Sequence, residues 1–493
     1  MSATPSAPKG SAPGRARRTA LIVAAPIVAV LTLMVGLRVG AGDAVRSATL
    51  FAAPPGRPPA TDAPTPLSWQ LLTYLEDRGV RETISMQNLV VIARAKGSEA
   101  RWTGASNVDG IAEVNLALPN IVVGDTIDIE VRIEGEAQPL AAGALVWREV
   151  SWGRSHARDA EERAGVAPSK REGALAIDVV IEGDRLVVGF ETPIWVRAQP
   201  ATPGAPKPEG LTVEVSGEAG LRTPKEHLDV TCEGGWVEVP VVAEGLTVGA
   251  QIKAKSKDGA TGEWLGALPI APGAFFIGAP RVVPADKKEP VVLVAPNPRK
   301  VVYAEVDDEV GRVFAAALDV NVEPGDPTPR ARFEMPLLAK GLHWLVVSGE
   351  PRGAEHLAGA AIAKPFVVGA EDDRACSNGP WLAKRSAVGF PRWVALDGMA
   401  VRGASNRRKH SIGLAIGLVS LFAAGTLVTL LLIAASREAR AVLLLAELDG
   451  DDDGGAAARE KVTAKPPGGG IAVVLLIAIL GFALLAALVV AKG

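Results

Sequence analysis

Cysteine is almost missing from this 493-residue chain: Cys232 and Cys376 are the only two, so at most one disulfide can form. Histidine is scarce as well. The five histidines, His156, His227, His343, His356 and His410, stand far apart, and no HExxH or CxxC spacing brings metal ligands together, which argues against a metalloenzyme. Neither sign of charge is in excess. The formal net charge of -3 comes from 52 Lys and Arg against 55 Asp and Glu, with no basic stripe of the kind that tracks phosphates, so nucleic acid is not an expected partner. A G-x-S-x-G elbow, a G-x-x-x-x-G-K-[ST] loop and a G-x-G-x-x-G turn after a strand are also missing, which removes the commonest signatures of hydrolases and nucleotide enzymes. Aromatics make up only 4% of the residues although 48% are hydrophobic, so the apolar content is largely Ala, Val and Leu. With 53 Gly and 37 Pro, that composition fits short strands, turns and membrane helices.

Long apolar runs are present. Three stretches, 20–37, 411–435 and 471–491, contain no charged residue and are about as long as the roughly 20 helical residues that cross a hydrocarbon core. All three are expected to be transmembrane helices. Arg15, Arg17 and Arg18 precede the first, giving it the form of a secretory signal, either retained as an anchor or cleaved near Val39-Gly40-Ala41. That basic cluster places residues 1–19 in the cytoplasm and 39–410 outside it. Arg402, Arg407, Arg408 and Lys409 pull the other way, and Arg437, Arg440, Arg459, Lys461 and Lys465 compete with them across the second span. The expected location is a bacterial inner (cytoplasmic) membrane, multi-pass, with a large periplasmic region and the lipid bilayer as a partner.

A chain this long should hold about three or four units. Residues 38–67, with the run AAPPGRPPATDAPTP, read as a proline-rich spacer. A short helix is expected over 68–77. Beyond it, alternating runs such as NLVVIARA (88–95), TIDIEVRI (126–133) and LTVEV (211–215) are strand signals. One pattern recurs at domain-sized intervals: GIAEVNL (110–116), then Gly124 and AGAL (142–145); GWVEVPV (235–241), then Gly249 and LGAL (265–268). A shorter third copy runs through RFEMPL (332–337), GLHWL (341–345) and LAGA (357–360). The repeat predicts three β-sandwich modules, at 68–153, 173–272 and 273–370, with a charged linker at 154–172 and a Trp- and Arg-bearing juxtamembrane region at 371–410. The shared Glu113, Glu238 and Glu334 fall at outward-facing parity and read as solvated.

The stretch Val108-Asp109-Gly110-Ile111-Ala112-Glu113-Val114, after Trp102-Thr103-Gly104, resembles the D-G turn of bacterial Ig-like and macroglobulin-type sandwich modules, over about a third of the chain. The resemblance implies a mainly β fold of tandem Ig-like sandwiches. Macroglobulin-type traps carry a thioester Cys, but Cys232 is followed by Glu233-Gly234-Gly235 and Cys376 by Ser377-Asn378-Gly379, so trapping chemistry is not implied. The two cysteines are either a disulfide pair or two small buried hydrophobes.

The acidic pairs Asp307-Asp308 and 371–373 read as solvated turns rather than an acid/base dyad. In the expected cytoplasmic loop, 436–470, Asp449, Asp451, Asp453, Gly454 and Glu460 satisfy the D-x-[DN]-x-[DN]-G-x5-E pattern of a calcium loop. Ala456 and the run KPPGGG (465–470) depart from the full EF-hand, and the same residues also read as an acidic linker. Two functions are expected from these features. One is a non-enzymatic adaptor whose modules bind another envelope protein or polymer; the other is a sensor or regulatory subunit with a calcium-responsive loop.

Overall fold

The computed structural model describes residues 44–147, 164–353, 361–369 and 375–399, apart from 78–79, 123, 225–226, 231 and 388, with scattered helical positions between 27 and 34 and between 411 and 444. Arg46–Tyr74 and Thr83–Met399 form one compact unit. It is built from strands whose side chains alternate between core and surface. Thr126–Ile133 buries Ile127, Ile129, Val131 and Ile133 and exposes Thr126 and Asp128. Gly249–Lys255 does the same with Ala250, Ile252 and Ala254.

The strands stack as three sandwiches with one shared order. In the first, Val45–Ala52, Thr65–Asp77 and Ile111–Leu118 form one sheet, and Ser98–Gly104, Leu89–Ala95, Thr126–Ile133 and Ala141–Val146 the other. In the second, Leu175–Ile181, Glu191–Pro200 and Trp236–Ala243 face His227–Asp229, Thr212–Glu218, Gly249–Lys255 and Thr261–Ala267. In the third, Phe276–Gly278, Pro290–Val294 and Asp326–Glu334 face Arg312–Asp319, Val301–Asp308, Gly341–Ser348 and Ile362–Val368. The first, second and fifth core strands share one sheet each time, and the third, fourth, sixth and seventh share the other, which is an Ig-like arrangement. The sequence repeat marks the fifth to seventh strands of the first two sandwiches and the fifth and sixth of the third, where LAGA (357–360) lies outside the described residues. Each sandwich has its own apolar core, around Trp69 in the first, Trp264 in the second and Phe366 in the third.

Three stretches that the sequence marks as connectors carry parts of the fold. The linker 154–172 ends in the strand Lys170–Gly173, which pairs antiparallel with Thr261–Ala267 and extends a sheet of the second sandwich. The spacer 38–67 contains the first strand, Val45–Ala52, and its prolines dock on the third sandwich: the Arg312 N–H donates to Pro54 O and the Gly56 N–H to Arg312 O, both at 2.8 Å. The juxtamembrane region 371–410 contains a helix, Ala375–Ala383, and a strand, Trp393–Asp397. That strand returns to pair antiparallel with Val45–Ala52, matching Thr49 to Asp397 and Ala52 to Trp393. Phe390 is buried and Trp393 packs against the first core. On its way there the helix places Leu382 against Trp344 on the outer face of the third sandwich and Ala383 against Trp195 and Trp236 of the second. One C-terminal segment thus touches all three sandwiches.

The helix expected over 68–77 is part of the strand Thr65–Asp77. Leu67, Trp69 and Leu71 point into the first core, while Ser68 and Gln70 on the opposite face are also buried. A strand covered on both faces loses the alternation that would distinguish it from a helix.

Gly311 sits where the proline segment crosses. A Cβ there would stand 2.4 Å from the carbonyl oxygens of both Pro54 and Pro55, and backbone cannot give way as a flexible side chain can. Gly311→Ala is expected to cost about 1–3 kcal/mol and to open 53–64 to protease, read by thermal melting and limited proteolysis.

Among the described residues no helix is long and apolar enough to cross a membrane. Of the three apolar stretches, 471–491 lies outside the described residues, and 20–37 and 411–435 are described only in part.

Candidate functional site

The repeated glutamate leads to the charged sites of the fold. Period two points Glu113 and Glu238 away from their own cores, as the parity indicates, but the outward face is not solvated in either case. Glu113 is 8% exposed, covered by the third sandwich, and Glu238 is half-buried beside the joint between the second and third. Only Glu334 matches the solvated reading.

At the joint of the first and third sandwiches, three carboxylates meet two guanidiniums. Glu113 Oε1 accepts from Gln70 Nε2 at 2.6 Å, and Arg392 Nη2 lies 3.6 Å from it. The same Nη2 donates to Glu305 Oε1 at 2.6 Å, and Arg312 Nη2 pairs with Glu305 Oε2. Asp307 meets its nearest cation more loosely, with Oδ1 3.9 Å from Arg312 Nε. Every member is buried, Arg312 completely. Burial holds the Glu113 carboxyl above its ordinary range although Arg392 opposes this, and burial raises Asp307 further, against Arg312 and with help from the nearby Glu305 charge. Neighbouring Asp308 is satisfied differently: its oxygens accept from the backbone N–H groups of Arg57 and Val310, each at 2.7 Å, and of Gly311 at 2.9 Å. Asp307 and Asp308 are therefore buried joint residues, each 1% exposed, and not the solvated turn that their adjacency in sequence indicates.

Neutral polar contacts extend this joint. Asn115, two residues after the repeated Glu, donates from Nδ2 to Ala315 O at 2.7 Å and accepts from Ala315 N at 3.1 Å, so its amide imitates one rung of a β-ladder on the edge strand Arg312–Asp319. Tyr303 accepts from Asn107 Nδ2 at 2.8 Å and donates to Asp109 Oδ2 at 3.1 Å, tying the D-G turn to the third sandwich. Burial raises the Tyr303 hydroxyl above its ordinary range.

The joint of the second and third sandwiches is balanced. Arg281 donates to Glu182 Oε2 at 2.7 Å and to Glu238 Oε1 at 2.6 Å, and Lys364 Nζ lies 3.5 Å from Glu182 Oε1. Burial alone would lower Arg281, but the two carboxylates outweigh it and hold it above its ordinary range. Lys364 is lowered by burial, partly offset by Glu182. Arg281 also stacks over Trp195 at 5.4 Å.

In both clusters the charged groups of one sandwich pair with those of another, a geometry that fits holding the sandwiches together. Among the described residues no group of three or more His, Cys, Asp or Glu is placed to hold a metal ion. The candidate calcium ligands Asp449, Asp451, Asp453 and Glu460 lie outside the described residues, as do His156, His356, His410 and 371–373. His227 is exposed. His343 is buried with Nδ1 3.1 Å from Gly341 O, and burial lowers its pKa, with Asp308 opposing. Cys232 is disulfide-bonded, and Cys376 is the one other cysteine in the sequence.

No protein-family model matches the chain, and no curated protein matches it. Among solved structures it is similar to invasin, a bacterial integrin-binding protein, with 12% identity over 66% of this chain and 60% of that one, at a TM-score of 0.15. It is similar to the Escherichia coli adhesin FdeC, with 15% identity over 66% of this chain and 99% of that one, at a TM-score of 0.17. A third similarity is to trypsin-activated alpha-2-macroglobulin from Escherichia coli, with 12% identity over 69% and 24%, at a TM-score of 0.17. The chain thus spans 60% of the length of the invasin structure and 24% of that of the macroglobulin. At TM-scores this low the likeness decides neither partner nor activity. The sandwich assignment rests on the strand order above.

Proposed function

We propose that this chain is a non-enzymatic envelope protein, anchored in the bacterial inner membrane, whose clasped sandwiches form one binding body for another envelope protein or polymer. The observation that carries the reading is the pairing of Val45–Ala52 with Trp393–Asp397, because it sets the two ends of the sandwich body side by side. In the sequence the apolar stretch 20–37 precedes the first of these strands and 411–435 follows the second. Both apolar stretches are about long enough to cross a bilayer as helices, which is what the anchored reading requires. The helical positions in 411–435 support this, since Phe422 is 78% and Val419 68% exposed, a poor surface for water. Thr426 and Thr429 Oγ1 each donate to the carbonyl four residues earlier at 2.8 Å, the arrangement that hides a hydroxyl from lipid.

The test uses an exposed strand position of the third sandwich. Val322 is 60% exposed, and Val322→Cys adds a thiol that is not part of the native disulfide. A membrane-impermeant maleimide added to intact spheroplasts is expected to label it. Labelling that appears only after lysis would sink the proposed topology, and a body that recovers nothing but itself from envelope extract would count against the binding role.

A further inference from the structure

The two joints differ in charge, and the difference has a chemical consequence. Between the second and third sandwiches, Glu182 and Glu238 face Arg281 and Lys364, two charges of each sign. Between the first and third, Glu113, Glu305 and Asp307 face Arg312 and Arg392, which leaves one carboxylate over. The excess sits where water does not reach: Glu305 is 2% and Asp307 1% exposed. Among the described residues, Glu113 Oε2 and Asp307 Oδ1 have no hydrogen-bond partner. An uncompensated buried carboxylate costs several kcal/mol, whereas the protonated form restores balance and supplies a donor.

We propose that the joint between the first and third sandwiches is a proton-binding site, in which one proton held at Glu113 or Asp307 keeps the first sandwich docked and its loss as pH rises lets that sandwich separate. Six stretches of chain close on this site, one of them the turn at 350–352, whose Pro351 carbonyl accepts from Gln70 Nε2 at 3.0 Å and Arg392 Nη1 at 3.5 Å and which carries the charged Glu350 and Arg352. Thr65–Asp77 brings the neutral Gln70, and Ile111–Leu118 brings Glu113. Val301–Asp308 brings Tyr303, Glu305, Asp307 and Asp308; Arg312–Asp319 brings Arg312; and the segment before Trp393–Asp397 brings Arg392. Arg57, Glu309 and His343 stand around Asp308, where Arg57 pairs with both Asp308 and Glu309.

The sign follows from linkage. Glu113 and Asp307 bind protons more tightly in the docked state than in the separated one, so docking is strongest below the ordinary carboxylate pKa values and is lost as pH rises through the raised ones. The dependence is at most about tenfold in the docking equilibrium per pH unit for one proton. His343 acts in the opposite direction, since a histidine kept neutral by burial contributes fully above about pH 6.5 and loses its contribution below.

Hydrogen exchange of the full-length chain in detergent, corrected for intrinsic rates, tests the proposal from pH 5 to 9. Exchange in Ile111–Leu118 should accelerate with rising pH relative to Trp236–Ala243, the equivalent strand at the balanced joint. Asp307→Asn should flatten the difference, and Asp308→Asn should leave its slope in place. Because a variant can fail to fold, carboxyl carbon NMR of the unaltered chain gives a second readout. One Asp or Glu carboxyl should titrate well above about pH 5, the range in which ordinary carboxyls have finished. If every carboxyl has titrated by then, or if both strands exchange in parallel, the proposal is overturned.

Discussion

Arg392→Met is expected to destabilise the sandwich body by about 3–5 kcal/mol, the effect of removing one partner from a buried ion pair and leaving the other unpaired. The Arg392 side chain is completely buried, donates to Glu305 at 2.6 Å and stands 3.6 Å from Glu113. Methionine fills much of the same volume, so the loss is electrostatic rather than a cavity. It leaves three carboxylates against Arg312 alone. Two comparisons identify the cause. Glu113→Gln added to Arg392→Met should recover part of the loss, because it removes a charge that no longer has a cation; a double-mutant cycle in urea reads the coupling. Arg222→Met, which breaks the surface pair with Glu244 where both side chains are more than half exposed, should stay within about 0.5 kcal/mol. A loss of the same small size at Arg392 would mean that the buried cluster does not hold the joint.

The location of Arg392 also shows where sequence reading stops. The strands that alternate cleanly, such as Thr126–Ile133, can be recognised residue by residue, because one face meets a core and the other meets water. The repeat is legible for the same reason, and the parts of it within the described residues fall on equivalent strands in the three sandwiches. What cannot be read is contact between sandwiches. Glu113 has the parity of a surface residue and is one relative to its own sheet pair; its burial comes from Glu305 and Arg392, far away in the chain. Thr65–Asp77 resembles a helix because a second sandwich covers its polar face. Proline at 54 and 55 signals an extended segment in either setting, and only the fold shows that it lies against Arg312. The signal that could have raised the charged joints is the repetition itself: a glutamate kept at one register in successive copies, with an Asn two positions later in the first, asks what its outward face meets.

Cys232→Ser is the other substitution with a large expected effect, about 2–5 kcal/mol. The bond of Cys232 closes a loop of well over a hundred residues if it runs to Cys376, the only other cysteine, and long loops lose the most chain entropy on closure. Its consequence extends beyond the helix Ala375–Ala383, in which Cys376 lies. Leu382 and Ala383 bridge the third and second sandwiches, and the same segment continues to Arg392 and to the strand that closes the first. Releasing its start should therefore open residues 384–391 to protease and weaken both joints together, whereas Arg392→Met should weaken only the first. The bond also reports location, since a structural disulfide persists in an oxidising compartment and is rare in the cytoplasm. Alkylation of intact cells before reduction should find no free thiol in the full-length chain. A version lacking residues 1–43, kept in the cytoplasm, should show both thiols and melt lower by an amount similar to that of Cys232→Ser. If the native chain presents two reactive thiols in intact cells, then either the clasp is held by packing alone or the sandwich body is not outside the cytoplasm. Labelling at Val322→Cys separates those two outcomes.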